Sequence, residues 1–212
     1  EGRNLVVFEA TVQRHNYVLN LGPITDNIID IRTTATDQSD GDHILTTDEK
    51  VTIVDRVEYT NLNTDREYTM TGTLMDYETG EPMTDANGNA ITSSATFKPE
   101  SPNGSVDIVF EIDASQLGGV RGVVFEDLYW NNIHIASHAD IEDKNQLVEF
   151  HPEIGTVAVG DQTNDHYVYD DGSVIIVDTV HYKGVVPGRE FIVHGILMDK
   201  NTGDALVDAN GE

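Results

Sequence analysis

The sequence predicts an all-β chain of antiparallel Ig-like β-sandwich modules in tandem. Apolar residues alternate with polar ones at period two almost throughout, which places successive side chains on opposite faces of a strand. The alternating segments are short and are separated by Gly, Asn, Asp and Pro, the residues that favour turns. The chain also repeats itself at one gap-free offset. Val54-Asp55-Arg56-Val57-Glu58-Tyr59 returns as Val177-Asp178-Thr179-Val180-His181-Tyr182, Leu74-Met75-Asp76 as Leu197-Met198-Asp199, and Asp85-Ala86-Asn87-Gly88 as Asp208-Ala209-Asn210-Gly211. A constant offset over that distance is the signature of repeated modules.

Taken in order, the complete module is expected to hold strands at Ile29–Thr36, Lys50–Tyr59, Glu67–Asp76, Ile91–Phe97, Gly104–Ile112, Arg121–Tyr129, Ile133–His138 and Gln146–Phe150. Turns are marked by Tyr77-Glu78-Thr79-Gly80, by Asp85-Ala86-Asn87-Gly88 and by the stretch from Pro99 to Gly104. Asp113-Ala114-Ser115-Gln116-Leu117 before Gly118-Gly119 reads as a single helical turn, capped by Asp113 and ended by glycine. Strands this short and this numerous point to two sheets packed face to face. The repeat divides the chain into 1–29, the tail of a preceding module; 30–152, a complete module; and 153–212, the first half of a second, truncated copy. Such a half sandwich is expected to be poorly ordered or to pair with another segment. Leu5-Val6-Val7-Phe8-Glu9 has the look of a preceding module's last strands.

The formal charge is −26, from 38 acidic and 12 Lys and Arg side chains. That excess argues against nucleic acid or an anionic membrane as partner. With no cysteine, the chain has no disulfide, thiolate metal site or cysteine nucleophile. The eight histidines show no zinc spacing, and neither a Gly-rich phosphate loop nor a G-x-S-x-G elbow appears. The acidic loop Asp37-Gln38-Ser39-Asp40-Gly41-Asp42 lacks the spacing and bidentate Glu of a calcium loop and reads as a solvated turn. No metal and no cofactor are expected.

Several polar residues fall on faces that should be apolar. Asp55 shares a face with Val51, Ile53, Val57 and Tyr59, and Asp178 recurs among Val174, Ile176, Val180 and Tyr182. A carboxylate in an apolar interior is unfavourable by several kcal/mol unless paired, hydrogen-bonded or protonated. It is either a strand-end acid that binds a turn or a working group. Thr33 lies between Ile31 and Ala35 on one face and recurs as Thr156; threonine is common in strands, so alone it carries little. Glu126 follows the apolar run Val123-Val124-Phe125 on the face of Val124, and His138 leads through an acidic turn to Gln146. A hydroxyl, two acids, an imidazole and a carboxamide are the parts for acyl transfer onto threonine.

Ile31-Arg32-Thr33-Thr34-Ala35, Val54-Asp55-Arg56-Val57-Glu58-Tyr59, Val123-Val124-Phe125-Glu126 and His138 with Gln146 eight positions on together resemble the VaFE repeats of Gram-positive surface proteins, the Thr–Gln ester-bond domains. The resemblance covers about 30–152 in full and 153–212 as the first half of a second copy. It implies a stalk module of a surface adhesin that joins its first and last strands by an ester between Thr33, the nucleophile, and Gln146, the electrophile. It further implies that Asp55 and Glu126 are a buried acid pair, one of them protonated, that hydrogen-bonds the carboxamide. His138 would take the threonine proton and help it reach the departing ammonia. The reaction is single-turnover, so the chain is expected not to be a turnover enzyme. Leu147 stands where the family has Thr. The second copy holds Thr156 and Asp178 but not the matching Glu, His and Gln.

The implied location is extracellular, at the cell surface, with wall anchoring through regions outside this sequence. The implied partners are adjacent modules of the same chain and, through a tip domain also outside it, a host surface ligand. Two other classes compete. A ligand-binding adhesin domain would recognise a glycan or host protein through sandwich loops, although Trp130 is the sole tryptophan. A true esterase or amidotransferase would need its substrate inside a sandwich core.

Overall fold

The computed structural model describes residues 28–169, 172 and 174–206. The tail assigned to 1–29, apart from Ile28 and Ile29, lies outside them. Eleven strands are present among the described residues: β1 (Asp30–Asp37), β2 (Ile44–Leu45), β3 (Val51–Thr60), β4 (Tyr68–Asp76), β5 (Thr92–Phe97), β6 (Gly104–Ile112), β7 (Arg121–Trp130), β8 (Ile133–His138), β9 (Leu147–Phe150), β10 (Glu153–Gly160) and β11 (Ile176–Lys183). The fold is all-β.

One sheet has the order β1-β3-β6, and the other the order β2-β9-β7-β4-β5 with β8 added beside β7. Both bury their inward faces in one core. Ile31, Ile53, Val57 and Phe110 come from the first sheet and Leu74, Val124, Leu128 and Phe150 from the second, all at 3% exposure or less. The period-two alternation of each strand supplies this: β3 alternates buried and accessible residues from Val51 to Thr60 without a break. Burying a large aliphatic or aromatic side chain contributes about 1.5–3 kcal/mol each, so the shared core holds the sheets together.

Two expectations are corrected. The Asp113–Leu117 segment is not helical: Asp113 Oδ1 accepts from the Ser115 amide, and the chain then makes two tight turns, with Leu117 N–H donating to Ala114 O and Val120 N–H to Leu117 O. Five residues before a glycine are too few to propagate a helix when side-chain and turn bonds already satisfy the backbone. The strand β2 had no alternation to reveal it. It pairs parallel with β9, a departure from the expected antiparallel pairing, and Glu149 N–H donating to His43 O and His151 N–H donating to Leu45 O extend that contact.

The placement of β8 and β9 opens a space for a buried site. Both pair with the same edge of β7, β9 against Arg121–Val123 and β8 against Glu126–Trp130. Chain leaving β8 must therefore turn back on itself before entering β9, leaving a gap in the ladder beside Val124 and Phe125, next to Glu126. The β7–β8 hairpin is closed by Asn131 and Asn132, both at positive φ, a conformation that asparagine tolerates better than most residues.

In the second copy, β10 and β11 form a two-stranded antiparallel sheet. Its register repeats that of β1 and β3: Thr156 faces Val180 and Ala158 faces Asp178, as Thr33 faces Val57 and Ala35 faces Asp55. The two strands pair with each other, and their apolar side chains remain accessible, Ile154 at 64% and Tyr182 at 68%. Ladder hydrogen bonds need only the partner strand, whereas burial needs the opposing sheet.

Candidate functional site

The site begins with an anomaly of burial. Among the described residues the buried polar side chains are Thr33, Asp37, Thr47, Asp55, Glu126 and Gln146, and four of these six meet in one place. Thr33 comes from β1 and Asp55 from β3; because Ala35 faces Asp55 across the ladder, Thr33 is its diagonal neighbour on the same face. Glu126 faces them from β7 of the opposite sheet. Gln146 sits at the mouth of β9, its backbone carbonyl accepting from Val124 N–H at 3.3 Å and its own N–H donating to Asp143 O at 3.1 Å. The gap between β8 and β9 thus admits the glutamine, and Ala35 N–H donating to Asn145 O at 2.9 Å ties β1 to the same turn.

Glu126 is the hub. Thr33 Oγ1 donates to its Oε2 at 3.3 Å, and Gln146 Nε2 donates to its Oε1 at 2.9 Å. Hydroxyl and carboxamide are therefore gathered onto opposite oxygens of one carboxyl group. Asp55 lies beside that carboxyl and makes no bond to the carboxamide. Both of its oxygens are buried without a donor, which is the signature of a missing proton between two acids, since neither carboxylate can donate to the other. Burial first, and then the charge and contact of Asp55, push the Glu126 carboxyl up to about 11. Burial also raises Asp55, to about 6, against the lowering contact with Glu126 and the lowering charge of His138. Two acids in so dry a site cannot both ionise. The pair therefore keeps one proton at neutral pH, and that shared proton is the donor the Asp55 oxygens lack.

His138 faces Glu126 directly across the β7–β8 ladder. Its Nε2 contacts Asp143 Oδ2 at 2.8 Å, with both side chains about four-fifths buried. No hydrogen bond joins His138 to Thr33 in this geometry; the imidazole is held at the rim, near enough for its charge to act on Asp55. Asp143 is the functional residue that sequence reasoning missed. It sits in an acidic turn where no acid stands out, yet it grips His138, receives the Asn145 amide at Oδ1 and offers its carbonyl to Gln146. Only its spacing from His138 could have drawn notice.

Thr156 and Asp178 occupy the register positions of Thr33 and Asp55 but are exposed. The acids of the Asp37–Asp42 loop are engaged in turns, with Asp37, Asp40 and Asp42 each accepting a backbone amide two residues on. Leu147, where the resemblance led to Thr, is half-buried in β9 opposite Val123.

The arrangement can pass an acyl group from Gln146 to Thr33 within one chain. Two solved structures of a bacterial adhesin from Mobiluncus mulieris containing intramolecular disulfide, isopeptide and ester bond cross-links are similar to this chain. One is 14% identical with a TM-score of 0.49 over 75% of this chain and 77% of that one. The other, in a second crystal form, is 13% identical with a TM-score of 0.46 over 74% and 77%. No curated protein matches the chain. The model of a family described as the T-Q ester bond containing domain matches residues 29–150 and again 152–212. The match runs over both repeats, and the chain belongs to the T-Q ester bond containing domain family.

Proposed function

We propose that residues 30–152 form an Ig-like stalk module of a Gram-positive surface adhesin, one that crosslinks itself once, without a cofactor, by an ester between Thr33 and Gln146. The observation that carries this reading is the two-sided Glu126 carboxyl, which holds nucleophile and amide together inside a water-poor core. In the reaction Thr33 Oγ1 attacks Gln146 Cδ. A new C–O bond forms, the C–N bond breaks, and the hydroxyl proton leaves on the departing nitrogen as ammonia. The protonated acid pair, which holds the carboxamide by its nitrogen, supplies acidity to the departing nitrogen as the C–N bond breaks. Asp55 keeps that proton in place, and His138, oriented by Asp143, carries the hydroxyl proton toward the nitrogen. Exclusion of water then protects the product from hydrolysis.

The strand order β1-β3-β6 against β2-β9-β7-β4-β5 supports the Ig-like assignment. A bond from β1 to the mouth of β9 ties the first strand to the last, so tension cannot peel either away. With nucleophile and electrophile in one chain and both buried, a turnover substrate has no route in. The glycan-binding alternative gains nothing from Trp130, whose ring is covered by the Arg66 guanidinium at 3.9 Å.

Intact-protein mass tests the reading. The chain is expected to weigh one ammonia less than its sequence requires, and Thr33→Ala or Gln146→Ala should restore the full mass. A parent chain that keeps its full mass at neutral pH overturns it.

A further inference from the structure

We propose that Gly118 and Gly184 form a fixed joint that seats the first module on the first strands of the second, the partner being the following module of the same chain. This proposal does not depend on the ester. Only His151 and Pro152 separate β9 from β10. Proline fixes its own φ and holds the preceding residue extended, so the connection is stiff from the outset.

Two separate segments of the first module, Thr47–Asp48 and Gly118–Gly119, then meet the turn after β11 and the residues beside it. Gly118 N–H donates to Gly184 O at 2.7 Å, and Gly118 bridges Val185 in parallel. A Cβ on Gly118 would overlap the Gly184 carbonyl and come within 2.8 Å of Pro152 Cβ. A Cβ on Gly184 would overlap the Thr47 side chain. Lys183 Nζ reaches Asp48 Oδ1 at 3.1 Å and Glu153 Oε1 at 3.5 Å, an exposed ion pair that contributes orientation more than stability. Arg189 Nη1 donates to Gly119 O at 3.0 Å.

Comparison of the two copies separates a joint from an ordinary turn. The residue that corresponds to Gly184 is Asn61, and both are left-handed, with φ of 81° and 62°. The turn therefore requires positive φ, which asparagine meets in the first copy. It does not require the absence of a side chain. Only the contact with Thr47 of the preceding module does so. At the neighbouring position the first copy has Thr60, which has no charge to offer Asp48, where the second has Lys183. Both adjacent residues of the second copy are thus suited to a contact that their counterparts could not make. Two modules joined in this way transmit force as one rod and keep one relative orientation.

The chain has no cysteine, so spin labels can be placed cleanly at Glu100→Cys and Lys200→Cys, and double electron–electron resonance on the 212-residue chain reads the distance between modules. The labelled chain should give one narrow distance distribution. Gly184→Asn, which preserves the turn, should broaden it, and Lys183→Thr, an exposed change that leaves folding intact, should broaden it to a smaller degree. A broad distribution in the unsubstituted labelled chain overturns the proposal, as does a narrow one that neither substitution alters. Amide chemical shifts of β10 and β11 identify a variant that has lost its turn; in that event the Lys183→Thr result decides alone.

Discussion

Gln146 donates its carboxamide to Glu126 across 2.9 Å, both side chains wholly buried, one at the mouth of β9 and the other on the adjacent β7. The carboxyl thus holds the amide by its nitrogen, the atom that must leave, while Gln146 Oε1 is buried without a donor.

Glu126→Gln keeps the volume and a hydrogen-bonding group but removes the shared proton. The variant should fold and retain its full mass, with Thr33 and Gln146 unlinked. Because the lost bond closes a loop of roughly a hundred residues, the loop-entropy model assigns about 4–5 kcal/mol to it. A comparable fall in stability, read from denaturant midpoints, is expected for Thr33→Ala.

In the unlinked Thr33→Ala chain, the acid pair should make stability depend on pH. Both acids have folded-state values raised by burial, so between the unfolded and folded values the native state holds protons that the unfolded state has released, and stability falls as pH rises. For Asp55 the contribution is full below its ordinary value of 3.8 and lost as pH passes about 6. For Glu126 the loss continues from 4.5 toward about 11. Denaturation midpoints should decline steadily across that range, and adding Asp55→Asn should flatten the first part of the decline. A midpoint that climbs from acid to neutral pH would contradict the protonated pair.

In the proposed reaction His138 carries a proton and Asp143, 2.8 Å from its Nε2, orients it. General acid–base groups contribute roughly 10²-fold to 10⁴-fold in rate, so His138→Ala should slow ammonia loss into that range. Asp143→Asn, which still offers an oxygen to Nε2, should slow it less and shift the pH at which the rate levels off. Mass spectrometry of refolding samples over time measures both. A purely structural Asp143 would change the denaturation midpoint and leave the pH profile where it was.

Gly72 lies opposite Glu126 on β4, and a Cβ there would stand 2.7 Å from Phe110 Cζ. Overpacking of this kind costs about 1–3 kcal/mol. Gly72→Ala in the Thr33→Ala background should lower the denaturation midpoint accordingly, and in the parent chain it should slow crosslinking by disturbing the carboxyl that holds both reactants.

Much of the site is legible in residue order alone. Asp55 betrays itself by sitting in an alternating apolar face, and the copy at Asp178 turns an oddity into a pattern. Glu126 is marked by the apolar run before it. Strand alternation is a property of neighbours along the chain, so β3, β6 and β7 can be placed to within a residue or two. By contrast β2 has only two residues, too short to show a period, and the Asp113 turn carries the same cap and glycine that a helix would. Asp143 stands in a turn crowded with other acids, and nothing local separates it from Asp140 or Glu142.

The sequence by itself determined that the chain is all-β and repeated, and which polar residues stand where apolar ones belong, because periodicity and self-similarity are written in residue order. Only the tertiary structure decided that Glu126 binds Thr33 and Gln146 at once, that Asp55 is left without a donor, and that His138 is held by Asp143. Those relations join β1, β3, β7, β8 and the turn before β9, and they arise because β8 and β9 share one edge of β7 and leave a gap beside the buried acid. The same difference separates the two copies: Thr156 and Asp178 have the right register on β10 and β11, but register is set between two strands. A protonated, water-poor site also needs the opposite sheet.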